Sequence, residues 1–179
     1  LGFAFGIWAM LIPFVKDRLL IDKAELGLLL LLIAFGAVIS MFFIFFTAAK
    51  IGCRKTIILS TSLVIICLLV LSVSGSIFIM SVFMFLFGVG LGMLDVTLNI
   101  QGALVEEGMK KHLMAGFHSM YSFGVFFGIL VATYLLKHFT YVTAVYIITG
   151  FIFLLLVFTI PALLNYGGEV PQKLFIKPT

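Results

Sequence analysis

The chain has 179 residues, of which 64% are hydrophobic and 10% are charged, and its formal net charge at pH 7 is +4. Soluble domains are about 45–50% apolar and about 25% charged, so this composition excludes a water-soluble globular protein and indicates an integral membrane protein. No basic cluster with interleaved aromatic residues suggests a nucleic-acid partner. The sequence contains no hydrolase motif and no metal-ligand spacing. We therefore expect neither enzymatic activity nor a cofactor or metal ion.

Six apolar runs, most of them close to the ~20 residues that a membrane span needs, predict an all-α membrane protein with six transmembrane helices. The first run is short and begins at Leu1, without an initiator Met, which suggests a fragment of a longer chain. Residues 1–163 are expected to form one bundle, and the polar residues 164–179 a cytoplasmic tail or the start of a central linker. The runs are 1–15, 26–49, 56–73, 77–105, 113–136 and 139–163.

Six spans place both ends of the chain on one side of the membrane. The connections and tail on that side carry seven Lys and Arg residues, and the connections on the other side carry four. Because Lys and Arg accumulate on the cytoplasmic side, we expect both ends and the basic turn 50–55 to be cytoplasmic. The predicted location is the inner (plasma) membrane, with several passes.

The most informative polar residues surround Asp95, the only acid well inside an apolar run. A charge at that depth is costly unless it faces protein or water. Asn99 lies one turn further on the same helical face, and His118 on the next helix should reach a similar depth, followed by Tyr121 and Ser122 in a polar stripe. We interpret these five residues as a substrate- or proton-binding site. The alternatives are an acid that only fastens helices together and a histidine that only packs.

Glycines at four-residue spacing predict close helix packing. Gly88 with Gly92, and Gly124 with Gly128, form faces of small residues that let membrane helices approach closely. No strand precedes Gly88, Gly90 and Gly92, so these three are not a dinucleotide-binding loop.

The sequence also contains a faint internal repeat with nearly constant offsets of about 86 and 88 residues. Three spans followed by three similar spans have opposite orientations, as in transporters built from inverted repeats. We therefore predict two inverted three-helix repeats. The matching positions are Gly2 and Gly6 with Gly88 and Gly92, and Ala34-Phe35-Gly36 with Ser122-Phe123-Gly124.

Three passages resemble the N-terminal half of a major facilitator superfamily transporter, and the resemblance covers nearly all of residues 1–163. The basic turn is similar to the superfamily's signature between its second and third helices. The passage around Asp95 looks like a bacterial inner-membrane branch near the fucose-permease-type sugar:proton symporters, which carry an acid and, four residues later, an Asn in the fourth helix. The three passages are Trp8 to Gly27, the turn Lys50-x-Gly52-x-Arg54-Lys55, and Leu94 to Gly102 followed by His118 to Gly124.

The chain departs from the family pattern at four positions. Phe45 and Ala49 stand where the signature has its leading Gly and its acid, so the cytoplasmic gating ion pair of that acid is not expected here. Asp95 replaces a Glu, and its carboxylate reaches less far. Tyr121 stands where sugar symporters carry Asn, which argues against a strict sugar specificity.

The resemblance implies one six-helix half of a twelve-helix transporter that works by alternating access, with a C-terminal six-helix half as partner. The other expected partners are a small-molecule substrate, protons and the lipid bilayer. The leading interpretation is proton-coupled symport of a small polar solute such as a sugar. In this interpretation Asp95 couples proton movement to solute transport. His118 is its hydrogen-bond partner or proton relay, and Asn99 and Tyr121 contact the substrate. The alternatives are efflux of a more hydrophobic compound, and a non-transporting half-transporter remnant or scaffold; direction and stoichiometry stay open.

Overall fold

A computed structural model describes residues 1–164 and 166, apart from the side chains of Phe45 and Ala49, and this part is helical between short connections. The all-α prediction is confirmed. Most of the predicted tail, 164–179, lies outside the described residues. The six helices are α1 (Gly2–Leu19), α2 (Lys23–Ile51), α3 (Cys53–Val73), α4 (Ile77–Met109), α5 (Met114–His138) and α6 (Tyr141–Thr159), followed by a 3-10 turn at Ile160–Ala162.

Five of the helices, α2 to α6, are long and apolar enough to cross a membrane, judged by length and composition. The exception is α1, whose last turn contains Lys16, Asp17 and Arg18. α4 is the longest helix, with 33 residues. At 1.5 Å per residue it measures about 50 Å, which exceeds the ~30 Å of the hydrocarbon core.

The helices extend further into the predicted turns than the apolar runs do. α2 begins at Lys23 because Asp22 and Glu25 form a capping box. The Asp22 carboxylate accepts a hydrogen bond from the Glu25 N–H at 2.8 Å, and the Glu25 carboxylate accepts one from the Asp22 N–H at 3.0 Å. The predicted basic turn 50–55 shrinks to Gly52, whose φ of 84° is readily available only to glycine.

α2 and α4 approach each other closely at glycines of α4. A methyl group at Gly88 would overlap the carbonyl oxygen of Ile33, and one at Gly92 would overlap the backbone of Ala37 and the Ser40 hydroxyl. Gly90 lies on another side of α4, against Val64 and Ser60 of α3. Lipid tails are as apolar as the helices, so van der Waals contact of this kind is a main source of helix association in a membrane.

α1 and α5 repeat the same kind of contact. A methyl group at Gly2 would overlap the carbonyl oxygen of Tyr121, and one at Gly6 would overlap that of Val125. The glycines of this contact precede those of the α2–α4 contact by 86 residues, and its carbonyl residues follow those of the α2–α4 contact by 88. Gly124 and Gly128 face the backbone of α1 at Phe3. The two inverted three-helix repeats are therefore visible in the packing itself.

Arg18 ties the end of α1 to two other helices. Its guanidinium donates hydrogen bonds to the carbonyl oxygens of Leu71 and Ser72 in the last turn of α3. It also lies 5.4 Å from the centre of the Tyr141 ring at the start of α6. A cation here is favourable because the last carbonyls of a helix lack partners and carry partial negative charge.

Several buried Ser and Thr hydroxyl groups form hydrogen bonds within their own helices. The Thr97 hydroxyl donates to the Met93 carbonyl at 2.6 Å, and the Thr149 hydroxyl to the Val145 carbonyl at 2.8 Å. This local bond removes the cost of placing Ser and Thr in an apolar interior. An acid has no such donor in its own helix, so Asp95 needs different surroundings.

The packing at Gly88 can be tested with a single methyl group. We expect Gly88→Ala to lower the stability in detergent by about 1–3 kcal/mol, the usual cost of overpacking, because the nearest atom is rigid backbone. Gly150→Ala is the matched control: no atom lies within 4 Å of its new methyl group. The control should keep or gain stability, since Ala favours a helix over Gly by up to ~1 kcal/mol. Equal melting temperatures for the two variants would contradict the close contact.

Candidate functional site

A cavity of about 530 Å³ lies between the start of α1, the second half of α4 and the first half of α5. We call it the first cavity. Asp95 and Asn99 of α4 line it, together with His118 and Tyr121 of α5. The rest of its described wall is mainly aliphatic, aromatic and glycine, including Phe117. The structure thus brings four of the five predicted site residues to one space.

A second cavity, of about 460 Å³, lies between α1, α2 and α4. Its wall includes Trp8, which is buried and packs against Phe87 with ring centroids 5.4 Å apart. Asp95 and Tyr121 are the only polar side chains among its described lining residues. Both also line the first cavity. Asp95 therefore stands where the two cavities meet.

Helical spacing explains how α4 and α5 present these residues. Asp95 and Asn99 are one turn apart and both half-buried, and His118 and Tyr121 are three residues apart and exposed. Ser122 behaves differently. Its hydroxyl donates to the His118 carbonyl at 3.3 Å, and Ser122 lines neither cavity among the described residues. The polar stripe predicted for α5 is therefore reduced to His118 and Tyr121 at the cavity.

Gln101 lines the first cavity and makes contacts that the sequence did not predict. Its side-chain amide donates to the Leu164 carbonyl at 2.7 Å and accepts from the Leu164 N–H at 3.1 Å. The Cys53 N–H, at the start of α3, donates to the Tyr166 carbonyl at 2.7 Å. The chain after α6 is thus fastened to α4 and α3 beside the cavity. Only the helical position of Gln101, about 200° from Asn99, indicated another partner.

Glu106 fixes the connection between the two helices that carry the site. Its carboxylate accepts hydrogen bonds from the N–H groups of Leu113 and Met114, at 2.6 and 2.8 Å. These are donors that the first turn of α5 leaves without intrahelical partners. His112 approaches the same carboxylate at 3.8 Å. The start of α5, and with it His118, is therefore held relative to the end of α4.

The basic signature turn lies apart from the cavities. Lys50 lies in the last turn of α2, and Gly52 separates α2 from α3, where Arg54 and Lys55 occupy the first turn. Lys50 and Lys55 are exposed and Arg54 is half-exposed. None of these residues is among the described residues that line either cavity. The turn is therefore not part of the candidate binding site.

Comparison with known protein families identifies one matching family. Residues 1–177 match the model of the Major Facilitator Superfamily. No solved structure matches the chain.

Three curated proteins are similar to parts of the chain. An uncharacterized MFS-type transporter of Yersinia pestis is 36% identical over 123 residues, which cover 69% of this chain and 32% of that protein. An uncharacterized transporter of Sinorhizobium fredii is 30% identical over 127 residues, covering 71% and 34%. The membrane protein MosC of Rhizobium meliloti is 29% identical over 158 residues, covering 85% and 39%. The chain spans about a third of the length of these relatives.

The contact between Gln101 and Leu164 can be tested by removing the amide. Gln101→Leu deletes two hydrogen bonds, each worth about 0.5–1.5 kcal/mol net, so we expect a loss of about 1–3 kcal/mol in stability. We also expect faster hydrogen exchange at the Leu164 amide. Asn99→Leu is the matched control, since no described hydrogen bond involves the Asn99 side chain. Unchanged exchange at Leu164 in the Gln101 variant would show that another contact holds this segment.

Proposed function

Because the chain belongs to the Major Facilitator Superfamily, we propose that it forms the N-terminal six-helix half of a secondary transporter with a C-terminal six-helix partner half. Transport of a small solute would proceed by alternating access, in which two halves rock about a site between them. The two cavities would form this half's wall of that site. The location of Asp95 at their junction is the observation that carries the proposal.

Asp95 is the proposed coupling group. A carboxylate deep in a membrane protein is tolerated where it faces a water-filled cavity, and it can then bind and release a proton. No described hydrogen bond or ion pair involves the Asp95 side chain, and this supports a working acid over one that fastens helices. The same observation argues against the alternative of a non-transporting scaffold.

The other residues of the first cavity have roles that follow from their chemistry. The imidazole of His118 can donate or accept a hydrogen bond, so His118 is the proposed partner or relay of Asp95. Asn99 offers a donor and an acceptor to the solute, and Tyr121 offers a hydroxyl group and an aromatic face. Ser122 has no role in this proposal because its hydroxyl is used within α5.

Two substrate classes remain candidates. A small polar solute such as a sugar, moved by proton symport, follows from the likeness of the Asp95–Asn99 passage to sugar:proton symporters. Efflux of a more hydrophobic compound is favoured by a specific observation, the largely apolar wall of the second cavity. Both classes use the same acid and the same alternating access.

The proposed location is the inner membrane, with both ends of the chain in the cytoplasm. Single cysteines at exposed sites can test this orientation. Gly75→Cys lies in the short connection between α3 and α4, with no atom within 4 Å of the new side chain, and Lys50→Cys lies at the other end of the bundle. A membrane-impermeant maleimide added outside should label Gly75→Cys and spare Lys50→Cys. The unmodified chain is the control because Cys53 and Cys67 are buried; the reverse labelling would overturn the orientation.

The coupling role of Asp95 predicts a separation of two activities. In the protein expressed from its natural open reading frame, Asp95→Asn keeps the shape of the side chain and removes the titration. It should abolish solute accumulation driven by a pH gradient, while solute exchange without a gradient persists at least in part. Glu107→Gln removes an exposed acid at the end of α4 and should leave accumulation unchanged. Equal accumulation by wild type and Asp95→Asn would leave Asp95 as a packing residue.

A further inference from the structure

The two cavities are counterparts in the internal repeat. The glycine contacts set an offset of 86 residues between α1 and α4 and of 88 between α2 and α5. Under these offsets, residues of the second cavity correspond to residues of the first, but apolar side chains replace the polar ones. The corresponding residues are Ala9 and Asp95, Ile12 and Leu98, Leu30 and His118, and Ile33 and Tyr121.

We call the first cavity the polar lobe and the second cavity the apolar lobe; Asp95, the one acid among their described lining residues, lies in the wall of both. No Lys or Arg side chain is among the described residues that line either lobe. On this half of the site, an anionic solute would meet a carboxylate and no compensating cation among the described lining residues, which is unfavourable in a low-dielectric environment. A polyhydroxylated solute would lose its hydrogen bonds to water in the apolar lobe and find few partners there.

We propose that this site binds an amphipathic organic cation. The cationic centre lies at Asp95, and its apolar or aromatic substituents occupy the second cavity. This inference rests on the proposed transport function and specifies its substrate class. Phe5 and Trp8 line the second cavity, and aromatic rings attract cations as well as apolar groups.

The organic cation and the proton compete for the one carboxylate of Asp95. This competition is enough to exchange a cation for a proton, without any further coupling group. When the cation meets protonated Asp95, the O–H bond breaks, the proton leaves to water, and the carboxylate pairs with the cation. One positive charge enters the site and one leaves. Among the described lining residues, the other titratable side chains that face this space are His118 and Tyr121 on α5. α2 contributes no titratable side chain among the described lining residues.

Tetraphenylphosphonium and tetraphenylborate provide a test, because they share size and shape and differ in the sign of their charge. Binding is measured to the protein from its natural open reading frame in lipid nanodiscs, with empty nanodiscs as the blank. We expect saturable binding of tetraphenylphosphonium, with proton release when the site is initially protonated. Tetraphenylborate should neither bind saturably nor compete.

Variants of Asp95 and Leu30 test which part of the ligand each residue contacts: the cationic centre at Asp95, and the apolar substituents in the second cavity. Asp95→Asn should weaken tetraphenylphosphonium binding at least tenfold, Asp95→Glu should retain it, and Glu107→Gln should leave it unchanged. Leu30→Asn places an amide in the second cavity and should weaken binding about tenfold. Leu28→Asn, on an exposed face of α2, is its control. Melting temperatures identify any variant that fails to fold.

The outcomes separate this inference from the proposed function. Undiminished tetraphenylphosphonium binding by Asp95→Asn, equal competition by tetraphenylborate, or no binding to the wild type would each overturn the cation site. Uptake of a neutral hexose, driven by a pH gradient and lost in Asp95→Asn, would then leave proton-coupled transport standing with a different substrate. If neither the cation nor the hexose accumulates in a gradient, the proposed function falls with the inference.

Discussion

Close backbone contact at glycines is the constraint on which the rest of this structure depends. α4 is held against α2 at Gly88 and Gly92, and α5 is held against α1 at the carbonyls that face Gly2 and Gly6. Each helix that carries the site therefore packs on a different partner. α4 and α5 meet near their connection, where Gly102 lies beside Met114 and Phe117, and the first cavity opens between them. Adding a side chain at either glycine contact would force the two helices apart and so move a wall of the site.

The same arrangement decides where an acid can lie. Serine and threonine are accommodated anywhere along these helices because their hydroxyl groups bond to a carbonyl one turn back. A carboxylate only accepts hydrogen bonds when ionised, and the helix interior offers it no free N–H. Lipid would leave it without any partner. The space between differently paired helices supplies water, a proton or a ligand, so the position of Asp95 follows from the packing of its helix.

Local sequence patterns predicted most of the helices and part of the candidate site. The features that they did not predict depend on contacts between residues far apart in the sequence. Hydropathy gave the number and class of the helices, and helical spacing placed Asp95 with Asn99. Helix ends differed by a few residues because caps, such as Asp22 with Glu25, extend helices into polar sequence. Ser122 was grouped with the cavity by spacing, but it is not among the described residues that line either cavity. The contacts of Arg18 and Gln101 join segments more than 50 residues apart, so no local sequence pattern predicts these contacts.

The repeat conserves packing and not chemistry, and physical reasons account for the difference. Both repeats must bring two helices into backbone contact, so both need small residues at equivalent places. The acid has no such requirement, and its counterpart is Ala9, which lines the second cavity together with Asp95 itself. A second carboxylate at that position would line the same cavity as the first, and two like charges at close range disfavour joint ionisation. An apolar residue there leaves Asp95 as the one acid among the described residues of the second cavity's wall, with an apolar surface beside it.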